Sequence, residues 1–162
     1  MRWIETKYTE ENRGKPQSEE RMKQLIVFDG LRFGKKGTPT DSDLCFDISG
    51  RTFVEAEFKL EGVEVPEGQY YHLKNKIDAL TRGGKDAILF ICSHDVFDPK
   101  ENVIAKDCIV RKFYYNGKLY DAQNGKTFKE CAEYFVEYSK RNHPVWKTKS
   151  RNKNHVNKVK RA

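Results

Sequence analysis

The apolar and polar positions in the first half of the chain predict a helix followed by a hairpin. In residues 18–28 the apolar residues recur at helical spacing, and Ser18 at the start of this segment is a suitable N-cap. Residues 33–41 are rich in Gly, Pro and Thr and are typical of a loop. Two strand-like runs, "DLCFDI" and "RTFVEAEFKL", then flank Ser49-Gly50 and predict an antiparallel hairpin.

The second half predicts helix, strand, hairpin and helix. Residues 66–81 have Pro at the start and two glycines after the end, with apolar residues at helical spacing between. "DAILFIC" (86–92) is a continuous apolar run, typical of a buried strand. Asn116-Gly117 predicts a second hairpin turn, with another Asn-Gly pair at 124–125. Thr127 can cap a last helix whose predicted apolar face consists of Cys131, Tyr134, Phe135 and Tyr138. The predicted fold class is α/β, with a central mixed sheet flanked by helices and a C-terminal hairpin and helix.

The strand within residues 51–60 has one apolar and one charged face. Alternate side chains of a strand share a face, so three apolar residues oppose three charged ones. The charged set is Glu55, Glu57 and Lys59. A face open to solvent would explain these charges. However, the preceding strand begins with Asp41 and Asp43, and the hairpin would bring acids alongside acids, which destabilises a sheet unless something neutralises them. A divalent cation such as Mg²⁺ would do so.

Gln69 lies at the start of the second predicted helix, on the same stripe as Leu73 and Ile77. If that stripe packs on the sheet, the amide of Gln69 points toward the carboxylates of the hairpin. The alternative is a side chain that faces solvent, because amphipathic stripes fray at helix ends.

The positive charge of the chain is concentrated at its C-terminal end. The 162 residues include 31 Lys and Arg against 24 Asp and Glu, a net charge of +7. Residues 140–162 hold nine of the basic residues and none of the acidic ones, so the remainder has a net charge of −2. Such a segment suits a polyanion, although it can also serve only to keep the protein soluble.

The four cysteines and four histidines show no paired spacing typical of a zinc site. Cys92 ends the apolar run at 86–92 and is expected to be a small core residue rather than a nucleophile. No apolar stretch approaches the length of a signal-peptide core or a membrane span, which predicts a cytoplasmic, reduced protein.

The hairpin and the helix after it resemble the PD-(D/E)XK nuclease superfamily, particularly small phage and prophage members. The resemblance rests on "PTDSD", on "EFK" fourteen residues later, and on the Gly-Gln helix "GQYYHLKNKIDAL". It covers residues 20–93 and implies a restriction-endonuclease-like core. It also implies a metal-dependent DNA nuclease using Mg²⁺, with Mn²⁺ able to substitute.

The resemblance assigns roles to individual residues. Asp43 would be the first metal-binding acid, with Asp41 as its competitor, and Glu57 the second, helped by the backbone carbonyl of Phe58. Lys59 would position or polarise the attacking water, and Gln69 would orient the site. Some members add an acid from the first helix, for which Glu19 and Glu20 are both candidates. Glu55 is an additional acid, either a supporting group or a solvated charge.

The resemblance and the basic tail together predict the partner. DNA is the expected polyanion, a homodimer or a protein partner stays open, and the nuclease-like domain is predicted to span residues 1–141 before a tail at 142–162. Trp146 can stack on a base or dock the tail on the body. The residues expected to bind nucleic acid are Lys140, Arg141, Trp146, Lys147, Lys149, Arg151 and Lys153. The alternative function is a catalytically silent module that binds nucleic acid or a protein.

Overall fold

The computed structural model describes residues 42–142. The predicted helix at 18–28, the predicted loop at 33–41 and nearly all of the basic tail lie outside this range. Within it, the chain forms a five-stranded mixed sheet with one helix on each face. The coarse prediction of an α/β protein with a central sheet is therefore confirmed.

The sheet follows the order of the chain, with strands arranged β1-β2-β3-β4-β5. The central pair β2 and β3 is parallel, and the other neighbouring pairs are antiparallel. The strands are β1 (Leu44–Ile48), β2 (Thr52–Leu60), β3 (Asp86–His94), β4 (Ile109–Tyr115) and β5 (Lys118–Asp121). A short 3₁₀ turn, Ala105–Asp107, precedes β4.

Two tight turns fix the registers of the two hairpins. Ser49 and Gly50 have φ of 58° and 64°, and Asn116 and Gly117 have φ of 49° and 79°. Two consecutive left-handed residues suit the right-handed twist of paired strands, which is why Asn-Gly and similar pairs are favoured there. Asp47 supports the first turn by accepting a 2.6 Å hydrogen bond from the amide of Gly50 through Oδ1. Both predicted hairpins are confirmed.

The first described helix, α1 (Glu67–Arg82), connects the two parallel strands and covers one face of the sheet. Its residues Leu73 and Ile77 are fully buried against Leu89 and Tyr114. Four residues separate Leu73 from Ile77, so both side chains lie on one stripe of the helix. The helix ends at Arg82, with Gly83 as its C-cap, close to the predicted boundary.

The second helix, α2 (Phe128–Asn142), covers the opposite face. Thr127 Oγ1 accepts a 3.3 Å hydrogen bond from the amide of Glu130, and Glu130 Oε2 accepts one of 2.9 Å from the amide of Thr127. This reciprocal pair is a capping box, which fixes the start of the helix. The predicted cap is confirmed.

The prediction of which residues form the apolar face of α2 is wrong in part. Phe135 is buried, and Cys131 packs partly buried against the same core, but Tyr134 is 72% exposed and Tyr138 is 40% exposed. Successive helical residues are rotated by about 100°. The stripe that faces the sheet therefore passes through Phe128, Phe135 and Ser139, and Tyr134 falls beside it.

Cys92 belongs to the core between the sheet and α2, where it is almost fully buried. Burial raises the pKa of its thiol. A protonated, inaccessible thiol is a poor nucleophile, so the prediction of a core role is confirmed. Among residues 42–142, neither helix is long and apolar enough to cross a membrane.

Candidate functional site

The register of the first hairpin places Asp43 beside Glu57. Leu44 pairs with Ala56 and Cys45 with Glu55, so continuing the register by one residue sets Asp43 opposite Glu57. Directly opposite residues of an antiparallel pair point to the same face. Asp43 also contacts the strand itself, because its Oδ2 accepts a 2.8 Å hydrogen bond from the amide of Phe58. The two acids that the sequence placed side by side are thus neighbours where β1 begins and β2 ends.

The Glu57 carboxylate is the centre of the cluster and is fully buried. Its Oε1 accepts a 2.8 Å hydrogen bond from Nε2 of Gln69, and the Lys59 ammonium lies 2.7 Å from the same oxygen. Gln69 reaches it from the first turn of α1, so the strand supplies the acid and the helix supplies the amide. The Lys59 side chain as a whole is 24% exposed.

The surroundings of Glu57 disfavour the charged form of its side chain. Burial raises its pKa above the ordinary value, the charge of Asp43 raises it further, and the ion pair with Lys59 opposes both. Its second oxygen, Oε2, is buried without a hydrogen-bond partner among residues 42–142. A buried, unpartnered carboxylate oxygen is costly unless a ligand, water or ion completes it.

Glu55 is fully buried as well, so the charged face of β2 is not open to solvent. Helix α1 covers this face, and its Lys76 ammonium lies 2.6 Å from Oε1 of Glu55. Burial and the neighbouring Glu55 carboxylate raise the pKa of the Cys45 thiol to about 11. The interpretation of these charges as an ordinary solvated face is therefore wrong.

The sequence predictions did not include Lys76. It lies seven residues after Gln69 on α1, and residues seven apart share a helical stripe. That spacing could have predicted a basic group above Glu55, because Gln69 itself reaches Glu57.

The donor atoms at the site suit a hard cation. Asp43 and Glu57 offer carboxylate oxygens, one of them buried and unpartnered. Mg²⁺ is commonly held by one or two carboxylates, with water and substrate phosphate completing its shell. No group of three or more His, Cys, Asp or Glu within the described part of the chain is arranged to hold a metal by itself. Two carboxylates fit an ion whose remaining ligands come from outside the protein.

Several predicted site residues are not brought into this cluster. Asp41, Glu19, Glu20 and the predicted nucleic-acid-binding residues from Trp146 to Lys153 lie outside residues 42–142. Lys140 and Arg141 end α2, on the opposite side of the sheet from α1, and Lys140 pairs with Glu137 at 2.7 Å. The contact made by Phe58 at the site is through its amide, and the ligand role of its carbonyl stays a prediction.

Comparison of the chain with known protein families, with characterised proteins and with solved structures finds no match.

Proposed function

We propose that this protein is a metal-dependent nuclease that hydrolyses phosphodiester bonds in DNA, with a restriction-endonuclease-like core. One observation carries the proposal: Asp43, Glu57, Lys59 and Gln69, from three separate segments of the chain, meet at one end of the hairpin around a buried carboxylate with an unpartnered oxygen. Two acids, a lysine and a glutamine in this order on hairpin and helix are the set that the nuclease resemblance implies.

Each residue then has a distinct part. Asp43 and Glu57 would hold Mg²⁺, or Mn²⁺ in its place. When bound, such an ion supplies a water that is nucleophilic near neutral pH and charge stabilisation at the phosphate. Gln69 fixes the orientation of Glu57 through its 2.8 Å hydrogen bond. Lys59, partly exposed, brings positive charge to the place where negative charge develops on the phosphate oxygens.

A second candidate function is a catalytically silent module that binds nucleic acid or a protein partner. It is favoured by the observation that Oε1 of Glu57 already has both Lys59 and Gln69 as partners, while only two carboxylates of the described chain meet at the site. In such a module, the cluster would hold β2 and α1 together without turnover.

Cleavage assays separate the two candidates. Labelled duplex, single-stranded, flapped and four-way DNAs are incubated with Mg²⁺ or Mn²⁺, using wild type, Glu57→Gln and Lys59→Met. Glu55→Gln is the matched control, because it neutralises a fully buried carboxylate on the same strand face two residues away. The proposal expects metal-dependent cleavage that EDTA, Glu57→Gln and Lys59→Met each abolish and that Glu55→Gln retains. Metal-independent cleavage, or equal activity in all four proteins, would contradict it, and binding without cleavage would favour the silent module.

A further inference from the structure

A pocket of about 430 Å³ opens beside the candidate site, at the end of the two parallel strands. It is lined by Ser93 and Glu61, among others, and Ser93 pairs with Lys59 in the register of β2 and β3. Neighbouring strands are about 4.8 Å apart, so the wall of the pocket begins one strand away from Lys59. A ligand in the pocket would therefore be adjacent to a phosphate held at Lys59.

The lining combines apolar surface with hydrogen-bond acceptors. The apolar part comes from Val96, Val103, Ile104 and Ile109. Asp95 and Asp107 are exposed carboxylates in the same lining. A volume of this size falls in the range of about 300–1,000 Å³ that is usual for sites of small organic ligands.

Arg111 lines the pocket, and two hydrogen bonds hold its guanidinium group. It is the extra residue of a bulge in β4, since Ile91 pairs with Lys112 and Cys92 with Val110. Its Nε donates a 2.7 Å hydrogen bond to Ser93 Oγ, and its Nη2 donates one of 2.6 Å to Glu61 Oε1. A guanidinium plane held in this way can stack on an aromatic heterocycle.

The acidic residues of the lining disfavour an anionic ligand. Asp95, Asp107 and Glu61 repel a phosphate, and Glu61 already neutralises Arg111. The same acids do not form a metal-binding group within residues 42–142. A neutral ring that donates hydrogen bonds to carboxylates fits better than an anion or a metal ion.

We infer that this pocket binds an unpaired nucleobase that carries an exocyclic amino group, that is cytosine, adenine or guanine rather than thymine. The apolar walls and the guanidinium plane of Arg111 would contact the faces of the ring. The carboxylates of Asp95 and Asp107 would accept hydrogen bonds from its amino group. A base within a duplex cannot enter such a pocket, so the substrate would be single-stranded or have a base turned out of the helix. This inference rests on the proposed function for the phosphate at Lys59.

The test measures base preference apart from cleavage. Fluorescence anisotropy gives the affinities of wild type for short labelled oligo(dC), oligo(dA) and oligo(dT) in EDTA at one fixed salt concentration. We expect oligo(dC) or oligo(dA) to bind at least about fivefold more tightly than oligo(dT), the lower end of what one good base contact provides. The double variant Asp95→Asn/Asp107→Asn should lose most of that preference.

Asp98→Asn is the control for the loss of one negative charge from the same loop, against two in the double variant. Asp98 is outside the lining, and the amide oxygen of Asn can keep the 2.9 Å hydrogen bond from the Lys100 amide. The double variant and the control both reduce repulsion of a polyanion, so the informative quantity is the ratio of the affinities for the different oligonucleotides. Equal affinities for the three oligonucleotides, no binding to any of them, or an unchanged ratio in the double variant would overturn the inference.

Parallel incubations of the same oligonucleotides with Mg²⁺ separate this inference from the proposed function. Cleavage without base preference would remove the base site and leave the nuclease. Base preference without cleavage of any DNA would support the base site and count against the nuclease.

Discussion

Binding of Mg²⁺ or Mn²⁺ should stabilise the wild-type protein through Glu57. The ion would complete the buried Oε2, which has no hydrogen-bond partner among the described residues, and it would offset the repulsion between Asp43 and Glu57. Glu57→Gln keeps the shape of the side chain and removes its charge. The variant should therefore fold like the wild type but lose the response to metal.

The size of the effect follows from mass action. A ligand that binds only the native state at ten times its Kd adds about 1.4 kcal/mol to the free energy of unfolding. For a chain of 162 residues, each kcal/mol raises the Tm by about 2–4 °C. We expect a rise of about 3–6 °C in wild type at that metal concentration and less than about 1 °C in Glu57→Gln.

The dependence on pH gives a second measurement of the same site. Burial raises the pKa of Glu57 in the folded state, so protons compete with the metal at a higher pH than they would for an ordinary carboxyl. The metal-induced rise in Tm should shrink as the pH falls through this raised pKa. Without metal, the native state holds the Glu57 proton more tightly than the unfolded chain, so this residue's contribution to stability decreases as the pH rises above 4.5, the ordinary pKa of the carboxyl.

Differential scanning fluorimetry with and without metal between pH 5 and pH 8 tests both expectations, with Glu55→Gln as the control for loss of a buried carboxylate. In the absence of metal, Glu57→Gln should be at least as stable as wild type at neutral pH, with the difference narrowing toward low pH. An equal metal response in wild type and Glu57→Gln would place the ion elsewhere. A large loss of stability in metal-free Glu57→Gln at neutral pH would show that the ion pair with Lys59 outweighs burial.

Three further predictions concern the fold that supports the site. Leu73→Ala, at a fully buried position on the sheet-facing side of α1, should cost about 2–5 kcal/mol in urea unfolding. Leu119→Ala, at a half-exposed position of β5, should cost far less. Gly117→Ala should destabilise the fold by about 1 kcal/mol or more, because φ is +79° there, even though the added Cβ would meet no atom within 4 Å. In thermal melting, Gly68→Ala in the first turn of α1 should leave the stability unchanged or raise it. Thr127→Ala removes one half of the capping box and should lower the free energy of unfolding by about 0.5–2 kcal/mol, and an unchanged value would argue against the cap.

The sequence was most informative where local chemistry decides the structure. Ser49-Gly50 and Asn116-Gly117 predicted both hairpins, because left-handed backbone conformations are sterically cheap only for a few residue types. The alternation along β2 predicted which side chains share a face. With the hairpin register fixed, the meeting of Asp43 and Glu57 followed directly.

Features that depend on packing between distant elements could not be predicted in this way. The alternation in β2 does not say whether the charged face meets water or a helix, and only the position of α1 buries Glu55. The aromatic ring of Tyr134 is typical of a core residue, but the position of Tyr134 around the axis of α2 directs the side chain to solvent. Nothing in the alternation of β4 marks Arg111 as the residue of a bulge, since the irregularity arises from pairing with β3.

The two buried acids of β2 show why Glu57, and not Glu55, is the expected place for an ion. Both carboxylates are fully buried on the same face, beneath the same helix. Lys76 is 2.6 Å from Glu55, and α1 thereby supplies a counter-charge from the protein itself. Both acids have an Oε2 without a hydrogen-bond partner among residues 42–142. At Glu57, Gln69 of the helix supplies a neutral amide and Lys59 of the same strand approaches the same oxygen. The hairpin register sets Asp43 opposite Glu57, whereas it sets Cys45 opposite Glu55. A carboxylate that has an unpartnered oxygen and a second acid nearby is stabilised most by a cation that arrives with a substrate, because that cation neutralises both acids at once.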